Sequence, residues 1–521
     1  MDETTLRRRI GVSALIVSGG VLLSRILGVF RESFFAGMLG ADGVTDQYVA
    51  AFRIPDFLNY LLAGGFLAIT FIPIFARYLA DDDEEGGWTA FNAILWPLTA
   101  AMVVFVGIGM AIAPALVEWL YPDFTPDQLA ETVLYIRIVL PAQVFFVAGA
   151  LFTAVQYSKG QFVIPTLAPI IYNLGIIGGG VIHAVIWEPS PVGFVWGVLV
   201  GAAIGNFGVQ WLGAKRAGMR MTRPETLSHP VMREYFAIAI PLMIGQSIVV
   251  LDETFMSVFG DRVGDGAQTH LQYARRTMFV PIGVIAQAAG VAAYPALARL
   301  FAAGKKQAMA DTVDKTVGYV LALSMAAAAL LTALSIPVIQ VLFERVRFTA
   351  DDTIETASAL FFYALAIPIW GVLQIVTRAF YARRQMWTPV VVGTAATVVA
   401  IPIYFALEAR LGLRGVALAS VAVLGLYTVV LAWLWYSTVG LERLAKLGRV
   451  AFRSFPLAVV AGFAAWGGAW LVGQVIDPTG FAGAVSAVLA GTAAFAAVAI
   501  AGALAGYTLV APRPAELGTR E

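Results

Sequence analysis

Long apolar runs separated by short polar connections dominate the chain from residue 10 to residue 508. A helix needs roughly 20 mostly apolar residues to cross a bilayer, and the runs reach that length about fourteen times. The pattern therefore predicts an all-α polytopic membrane protein with about 14 transmembrane helices. The predicted spans are 10–38, 48–76, 88–113, 133–156, 163–187, 192–213, 235–259, 271–297, 316–343, 356–381, 388–408, 414–436, 450–472 and 481–508.

The composition indicates that most of the chain is surrounded by lipid. Hydrophobic residues make up 60% of the chain, charged residues 13%, and the mean hydropathy is +0.81; a soluble domain carries roughly twice that share of charge. The absence of cysteine excludes disulfides, iron–sulfur clusters and thiolate zinc sites. Three histidines do not favour a metal site, and a net charge of +1 does not indicate a nucleic-acid partner.

Positive residues are distributed unevenly between the two sides of the predicted helices. Connections on one side hold most of the Lys and Arg, and one of these loops alone contains Lys215, Arg216, Arg220, Arg223 and Arg233. The other side holds only Arg262, Arg345, Arg347, Arg410 and Arg414. Cytoplasmic loops carry the excess of positive charge, so a multi-pass protein of the cytoplasmic (inner) membrane with both termini in the cytoplasm is expected.

The first twelve spans are predicted to be two copies of six. A group of four residues, and one outer loop, each recur 224 residues later: Tyr157, Lys159, Gln161 and Pro165 as Tyr381, Arg383, Gln385 and Pro389, and Phe124-Thr125-Pro126-Asp127 as Phe348-Thr349-Ala350-Asp351. Copies of six spans share an orientation, which predicts an axis along the membrane normal and a substrate path between the lobes. The expected parts are an N-lobe at 1–213, a C-lobe at 235–436 and an additional helix pair at 450–508.

Several arginines lie inside predicted spans, where each charge costs about 2.5–3.5 kcal/mol. The candidates for a binding role are Arg25, Arg31, Arg53, Arg275 and Arg276. Arginines that converge on a wet cavity from both lobes suit an anionic headgroup, because a guanidinium binds phosphate through forked hydrogen bonds. The alternative is that some are interfacial or locally paired charges, an interpretation favoured for Arg137 and Arg378.

Two acids and four helix-loosening residues complete the candidates. Asp252 and Glu253, inside span seven, are candidates for binding a coupling cation or proton; structural pairing with Arg275 or Arg276 is an equal alternative. Candidate gate residues are Gly28, Gly64, Gly65 and Pro73, because glycine and proline loosen a helix; close packing through small residues is the alternative.

The chain shows no phosphate-binding loop and no catalytic or metal-binding constellation, so neither an enzyme nor a cofactor is expected. The energy for transport would come from a sodium or proton gradient, the membrane potential, the substrate gradient or a partner protein.

The N-terminal third carries a recognisable set of motifs. Ser24-Arg25-Ile26-Leu27-Gly28, Arg31-Glu32, Thr45-Asp46, Ala51-Phe52-Arg53-Ile54-Pro55 and Phe71-Ile72-Pro73 appear in this order, followed by Tyr273-Ala274-Arg275-Arg276 further along. This set resembles the MurJ lipid II flippases of the multidrug/oligosaccharidyl-lipid/polysaccharide exporter superfamily. The resemblance extends over nearly the whole chain and is strongest over the first eighty residues.

The resemblance implies a function and assigns residues to it. Such proteins move undecaprenyl-diphosphate-linked peptidoglycan precursor to the outer leaflet by alternating access, with the headgroup in a cationic cavity and the lipid tail along the two extra helices. Arg25, Arg31 and Arg276 match family cavity arginines, and Ser24 and Asp46 match other motif positions. Asp252 lies near an acid that some members use for sodium. Association with cell-wall synthesis machinery is a further expectation.

The chain departs from the family pattern at several cavity positions. Asn59-Tyr60 stands where many members have a basic pair, Gly64 and Phe279 stand where glutamates are common, and Arg275 replaces a frequent acid. These departures leave two alternatives: a flippase for another lipid-linked glycan, such as an O-antigen or exopolysaccharide unit, or a drug/cation antiporter of the same superfamily. A cationic cavity and the two extra spans disfavour the antiporter.

Overall fold

The computed structural model describes residues 3–59, 66–222 and 229–504, and within these ranges the chain is helical, with no strand. The predicted fold class, an all-α polytopic membrane protein, is confirmed. The helices are α1 (Glu3–Leu39), α2 (Gly43–Ala51), α3 (Arg53–Leu58), α4 (Phe66–Ala80), α5 (Glu84–Leu120), α6 (Pro126–Val139), α7 (Ala142–Ser158), α8 (Val163–Ile186), α9 (Pro191–Gly201), α10 (Gln210–Arg216), α11 (Pro230–Asp261), α12 (Ala267–Ile282), α13 (Ala288–Ala302), α14 (Lys306–Ala333), α15 (Ser335–Phe343), α16 (Ala350–Ala364), α17 (Ala366–Ala382), α18 (Trp387–Leu411), α19 (Leu413–Val439), α20 (Glu442–Gly473) and α21 (Phe481–Leu504).

Within the described ranges, ten helical segments are long and apolar enough to cross a membrane, and a bent pair formed by α16 and α17 brings the number to eleven. Three further predicted spans are not among these eleven segments. The span 10–38 falls on α1, the span 48–76 on α2–α4 and the span 235–259 on α11. The count of fourteen stays a prediction.

Several predicted spans are interrupted helices. The span 48–76 is divided at Phe52, where α2 ends and α3 begins. Residues 60–65, which include the candidate gate residues Gly64 and Gly65, lie outside the described residues. The span 133–156 is divided at Leu140–Pro141 between α6 and α7, and the span 356–381 bends by 43° between α16 and α17. The backbone stays hydrogen-bonded across these breaks, for example from the Phe52 N–H to the Val49 carbonyl and from the Gln143 N–H to the Leu140 carbonyl, so each span is kinked and remains helical.

The chain forms two compact units, Met1–Thr254 and Phe255–Glu521, with the boundary inside α11. The predicted division at 1–213, 235–436 and 450–508 is a different partition, and it stays a prediction, as does an axis that relates the lobes.

In the first unit, α8 packs against α9 through glycines. A β-carbon at Gly179 would lie 2.4 Å from the backbone oxygen of Gly193, and one at Gly197 would lie 2.5 Å from the backbone oxygen of Gly175. On each helix these glycines are four residues apart, so they share one face. Small residues at this spacing let two membrane helices approach until their backbones touch.

In the second unit, α20 and α21 pack against each other and against α14 and α15. Their shared core is made of Leu334, Leu457, Ala458, Ala461, Ala465 and Phe495, all buried. The helix pair added after the repeat is therefore an integral part of this unit.

A buried ionic cluster fixes the start of α20. Arg443, on the first turn of α20, donates to Asp314 at 2.6 Å and to Asp311 at 2.7 Å, both on α14. It also donates to the side chain of Gln307 at 2.7 Å, and Tyr436, near the end of α19, donates to Asp314 at 3.1 Å. We call these five residues the Arg443 clasp. It ties three helices of the second unit together at one end of α20.

The sequence repeat has a local structural counterpart in each unit. Thr125 caps the start of α6 and Thr349 caps the start of α16, each by accepting a hydrogen bond from the backbone three residues on. Lys159 lies 5.7 Å from the ring of Trp88 in the first unit, and Arg383 lies 4.0 Å from the ring of Trp435 in the second. Positions 224 residues apart thus have the same cap and the same kind of cation–aromatic contact.

Candidate functional site

Arg31 is held between two helices of the first unit. Its guanidinium donates to the carboxylate of the adjacent Glu32 and, through Nη1, to Oδ1 of Asn173 at 3.0 Å. Arg31 lies in the last third of α1 and Asn173 lies in the middle of α8. The side chain of Arg31 is about one-fifth exposed, at 20%. It is therefore oriented by the protein while part of its surface stays accessible.

Asn173 is itself fixed by two backbone groups. Its Nδ2 donates to the carbonyl oxygen of Pro169 at 2.8 Å and, at the long distance of 3.5 Å, to that of Ser24. With the amide nitrogen engaged, the oxygen faces Arg31. Sequence reasoning did not select Asn173, although an amide inside an otherwise apolar span was an available signal.

Arg53 is the most deeply buried of the candidate arginines in the first unit, with 3% of the residue exposed. Its Nε donates to the backbone oxygen of Val49 at 3.2 Å, and its Nη1 lies 3.4 Å from the carboxylate of Glu253 on α11. Asp56, one turn along α3, lies within electrostatic range of both Arg53 and Glu253. Arg53 thus neutralises acids that two separate helices bring into the unit.

The acid at position 253 has a partner that the sequence did not predict. Glu253 pairs with Arg53, and the alternative of a pairing between Asp252 or Glu253 and Arg275 or Arg276 stays a prediction. The partner was missed because it lies 200 residues away in the sequence. Coupling through Asp252 stays a prediction. No group of three or more metal-ligating side chains occurs in the part of the chain that the structure describes.

Three aromatic side chains in contact connect α1, α2 and the start of α3. The ring centroid of Tyr48 lies 4.4 Å from that of Phe35 and 4.7 Å from that of Phe52, and the rings in both pairs are tilted. Asp46, a motif position, is 3% exposed in the first turn of α2, where a carboxylate interacts favourably with the helix dipole. Asp42 caps the same helix. The contact between Phe35 and Tyr48 holds α2 against α1, and the Asp42 cap fixes where α2 begins.

The remaining candidates of the first unit differ in exposure. Arg25 is exposed on α1, and Ser24 beside it is half-buried. A β-carbon at Gly28 would meet no atom of the described residues within 4 Å, so close packing among them does not account for this glycine. Pro73 lies inside α4 and is exposed. A gating role for Gly28 and Pro73 stays a prediction.

Arg275 and Arg276 lie in the second unit, on α12. Arg275 is buried and its guanidinium lies 5.4 Å from the ring of Phe279, a position where the family commonly has a glutamate. Arg276 faces Gln272, and with the amide oxygen of Gln272 turned towards it the guanidinium donates at 2.9 and 3.1 Å. Convergence of these arginines with those of the first unit stays a prediction.

The two arginines favoured as local charges do make local contacts. Arg137 donates to the backbone oxygen of Met110 at 3.3 Å, and Arg378 donates to that of Gln287 at 3.2 Å. Both therefore satisfy backbone groups of a neighbouring helix.

The arrangement in the first unit can bind an anion. Arg31 and Arg53 are each anchored by a neutral acceptor, Asn173 and the Val49 carbonyl, and each is partly neutralised by a glutamate. A phosphate that approaches Arg31, whose side chain is 20% exposed, would compete with the carboxylate of Glu32 for the same donors. Such competition would make the binding of an anion at Arg31 reversible.

A sequence model described as "Lipid II flippase MurJ" matches residues 35–478. The chain belongs to the MurJ family. Among similar MurJ proteins, the probable lipid II flippase MurJ of Rhizobium tropici is 29% identical over 416 residues, covering 78% of this chain and 77% of the relative. The lipid II flippase MurJ of Burkholderia cenocepacia is 28% identical over 393 residues, covering 74% and 76%.

Solved structures agree on the fold. A lipid II flippase MurJ in an inward closed conformation matches with a TM-score of 0.73 at 18% identity, over 93% of this chain and 98% of the MurJ chain. An inward-facing multidrug transporter of the MATE family, in the MOP superfamily, matches with a TM-score of 0.64 at 14% identity, over 82% and 95%. The chain therefore has the fold that these two solved structures share.

Proposed function

We propose that this chain is a flippase that moves a polyprenyl-diphosphate-linked glycan, the peptidoglycan precursor lipid II, across the cytoplasmic membrane by alternating access. The observation that carries the proposal is the family match over residues 35–478. Relatives that cover about three-quarters of the chain bear the name lipid II flippase.

The arginines of the first unit support a diphosphate headgroup. A diphosphate offers several oxygen acceptors, and forked guanidinium donors match them better than a point charge does. Arg31 has an oriented fork and a partly exposed surface, and the exposed Arg25 lies six residues before it on α1. Arg275 and Arg276 would approach the headgroup from the second unit.

The role is transport, without a chemical reaction on the glycan. The chain would lie in the inner membrane with both termini in the cytoplasm, and would need no cofactor, metal or nucleic acid. Coupling would use sodium, protons or the membrane potential, with Asp252 as the candidate ion ligand. Cell-wall synthesis proteins are the proposed partners.

One contact favours a second candidate, a flippase for another lipid-linked glycan. Asn59 stands where many family members have a cation, and its Nδ2 donates to Oε1 of Gln143 at 2.9 Å. A neutral amide bound to the protein offers a headgroup less positive charge at this place. A drug/cation antiporter is disfavoured, because buried arginines repel an organic cation.

Depletion and rescue test the proposal. In cells whose own lipid II flippase is depleted, the chain should restore growth and labelled lipid II should reach the outer leaflet. An Arg25→Ala variant, present in the membrane at the same amount, should restore neither. If the wild-type chain is present in the membrane at the normal amount and still restores neither growth nor transport, lipid II is rejected as its substrate. Transport of another polyprenyl-diphosphate glycan would then support the second candidate.

A further inference from the structure

The helix α20 is longer than a bilayer is thick. It has 32 residues, or about 48 Å at 1.5 Å per residue, whereas the hydrocarbon core is about 30 Å thick. Tilting alone would have to reach about 50°, beyond the usual 0–40° range. About 20 residues counted back from Gly473 cross the core, and they include the exposed Trp466 and Trp470 near the far interface. Residues 442–453 therefore extend into the headgroup region.

The Arg443 clasp fixes the rotation of this extension about its axis. Arg443 points into the second unit, where it is bound to Asp311, Asp314 and Gln307. Leu447, Val450 and Ser454 follow on the same face and are buried. The opposite face of the extension must then point away from the protein.

Three basic residues follow one stripe outside the buried face. Lys446, Arg449 and Arg453 are spaced by three and four residues, so they lie above one another along the helix. Lys446 is half-buried, and Arg449 and Arg453 are exposed. None of the acidic side chains that the structure describes forms an ion pair with Lys446 or Arg449. On one helix, Arg443 is therefore fully paired inside the unit, whereas Lys446 and Arg449 form no ion pair with a described acid.

An exposed aromatic side chain lies beside the basic stripe. Phe452 is 79% exposed and is one turn from Arg449. An apolar ring next to a guanidinium at headgroup depth is suited to a ligand with a phosphate and acyl chains.

We propose that the basic stripe of Lys446, Arg449 and Arg453 is a binding site for anionic phospholipid. The stripe spans about 10 Å along the helix, and the step from Arg449 to Arg453 covers about 6 Å, the depth of one headgroup layer. Phosphates are bound by the basic residues, and an acyl chain lies along Phe452.

The placement favours phospholipid over the diphosphate of a transported lipid. The cations are spread along the helix at separations that suit successive single phosphates, whereas one diphosphate would fit a tight cluster. The stripe also lies outside the buried face of α20. The inference is thus independent of the proposed function.

Retention of lipid by the purified full-length protein tests the site. The protein is reconstituted in nanodiscs of phosphatidylcholine with 25% phosphatidylglycerol, re-extracted in mild detergent, and its bound phosphatidylglycerol is counted by native mass spectrometry. The wild type should retain the anionic lipid, and K446Q/R449Q/R453Q should bind it about 100-fold more weakly, since each surface cation contributes about fivefold. High salt should weaken wild-type binding.

Matched variants separate the site from general charge. R299Q/K305Q/K306Q removes three exposed cations elsewhere in the same unit and should retain the lipid, as should the charge-conserving K446R/R449K/R453K. Equal retention by the glutamine stripe variant and the wild type would overturn the proposal, as would equal loss in the control. If K446Q/R449Q/R453Q no longer binds added undecaprenyl diphosphate but fully retains phosphatidylglycerol, the stripe is a substrate site and the proposal is wrong. Unchanged thermal unfolding confirms that the variants are folded.

Discussion

Nη1 of Arg31 on α1 lies 3.0 Å from Oδ1 of Asn173 on α8, and the amide of Asn173 is turned to accept this bond by the carbonyl oxygen of Pro169. An uncharged partner orients the guanidinium without cancelling its charge. A carboxylate in the same place would hold it more strongly and would compete with an anionic ligand. We therefore regard Asn173 as a positioning residue for Arg31.

Replacing Asn173 with alanine should lower flipping by about tenfold, because a hydrogen bond to a charged group contributes about 1.5–3 kcal/mol. Flipping of labelled lipid II in vesicles, divided by the amount of reconstituted protein, measures the effect. Asn173→Gln should recover part of the activity and Asn173→Asp should bind the headgroup more weakly. A fall that follows only the amount of folded protein would reduce Asn173 to a structural role.

Arg25→Ala should abolish flipping, and Arg25→Lys should leave it impaired, because lysine keeps the charge but loses the forked donor. Neither change should reduce the amount of protein in the membrane much, since Arg25 is exposed. Arg137→Ala is the matched control, because Arg137 bonds to the Met110 backbone, and it should flip nearly normally. Normal transport by Arg25→Ala would reject the cationic-cavity mechanism.

Asp252→Asn should remove the ion dependence of transport while the protein still folds and inserts. The side chain loses its charge at constant size, so a bound cation or proton loses its ligand. Transport is compared with and without sodium and at two pH values. Glu253→Gln serves as the contrasting variant, because Glu253 pairs with Arg53 and its loss should affect stability before ion dependence. An unchanged ion response in Asp252→Asn would return Asp252 to a structural role.

Arg443→Ala should destabilise the protein by about 3–5 kcal/mol, because removal of one partner leaves buried charges uncompensated. Asp314 is 4% exposed and would lose its cation. Thermal unfolding in detergent measures the change. Arg449→Ala, on the exposed stripe of the same helix, should unfold like the wild type. Similar stability of both variants would show that the clasp does not hold α20.

The sequence predicts the helical class well and the helix boundaries less well. Hydrophobicity alone cannot distinguish the single span 48–76 from its divided form, because no residue of the apolar run marks the break at Phe52, whose ring packs on Tyr48 of α2. Arg31 and Arg53 were predictable from the cost of a charge in an apolar run. Their partners were not, because Asn173 and Glu253 are brought near by packing over 142 and 200 residues of sequence.

The glycine contact between α8 and α9 determines which substitutions the protein can tolerate. A side chain at Gly179 or Gly197 would have to overlap a backbone atom of the opposite helix, and a backbone cannot turn aside as a side chain can. Saturation mutagenesis should therefore leave these positions almost empty of accepted alternatives. Val185, on α8 and 79% exposed, should accept most apolar residues. Along α8, positions that accept substitutions and positions that reject them would then recur once per helical turn. The pattern of accepted substitutions would by itself identify the face of α8 that packs against α9.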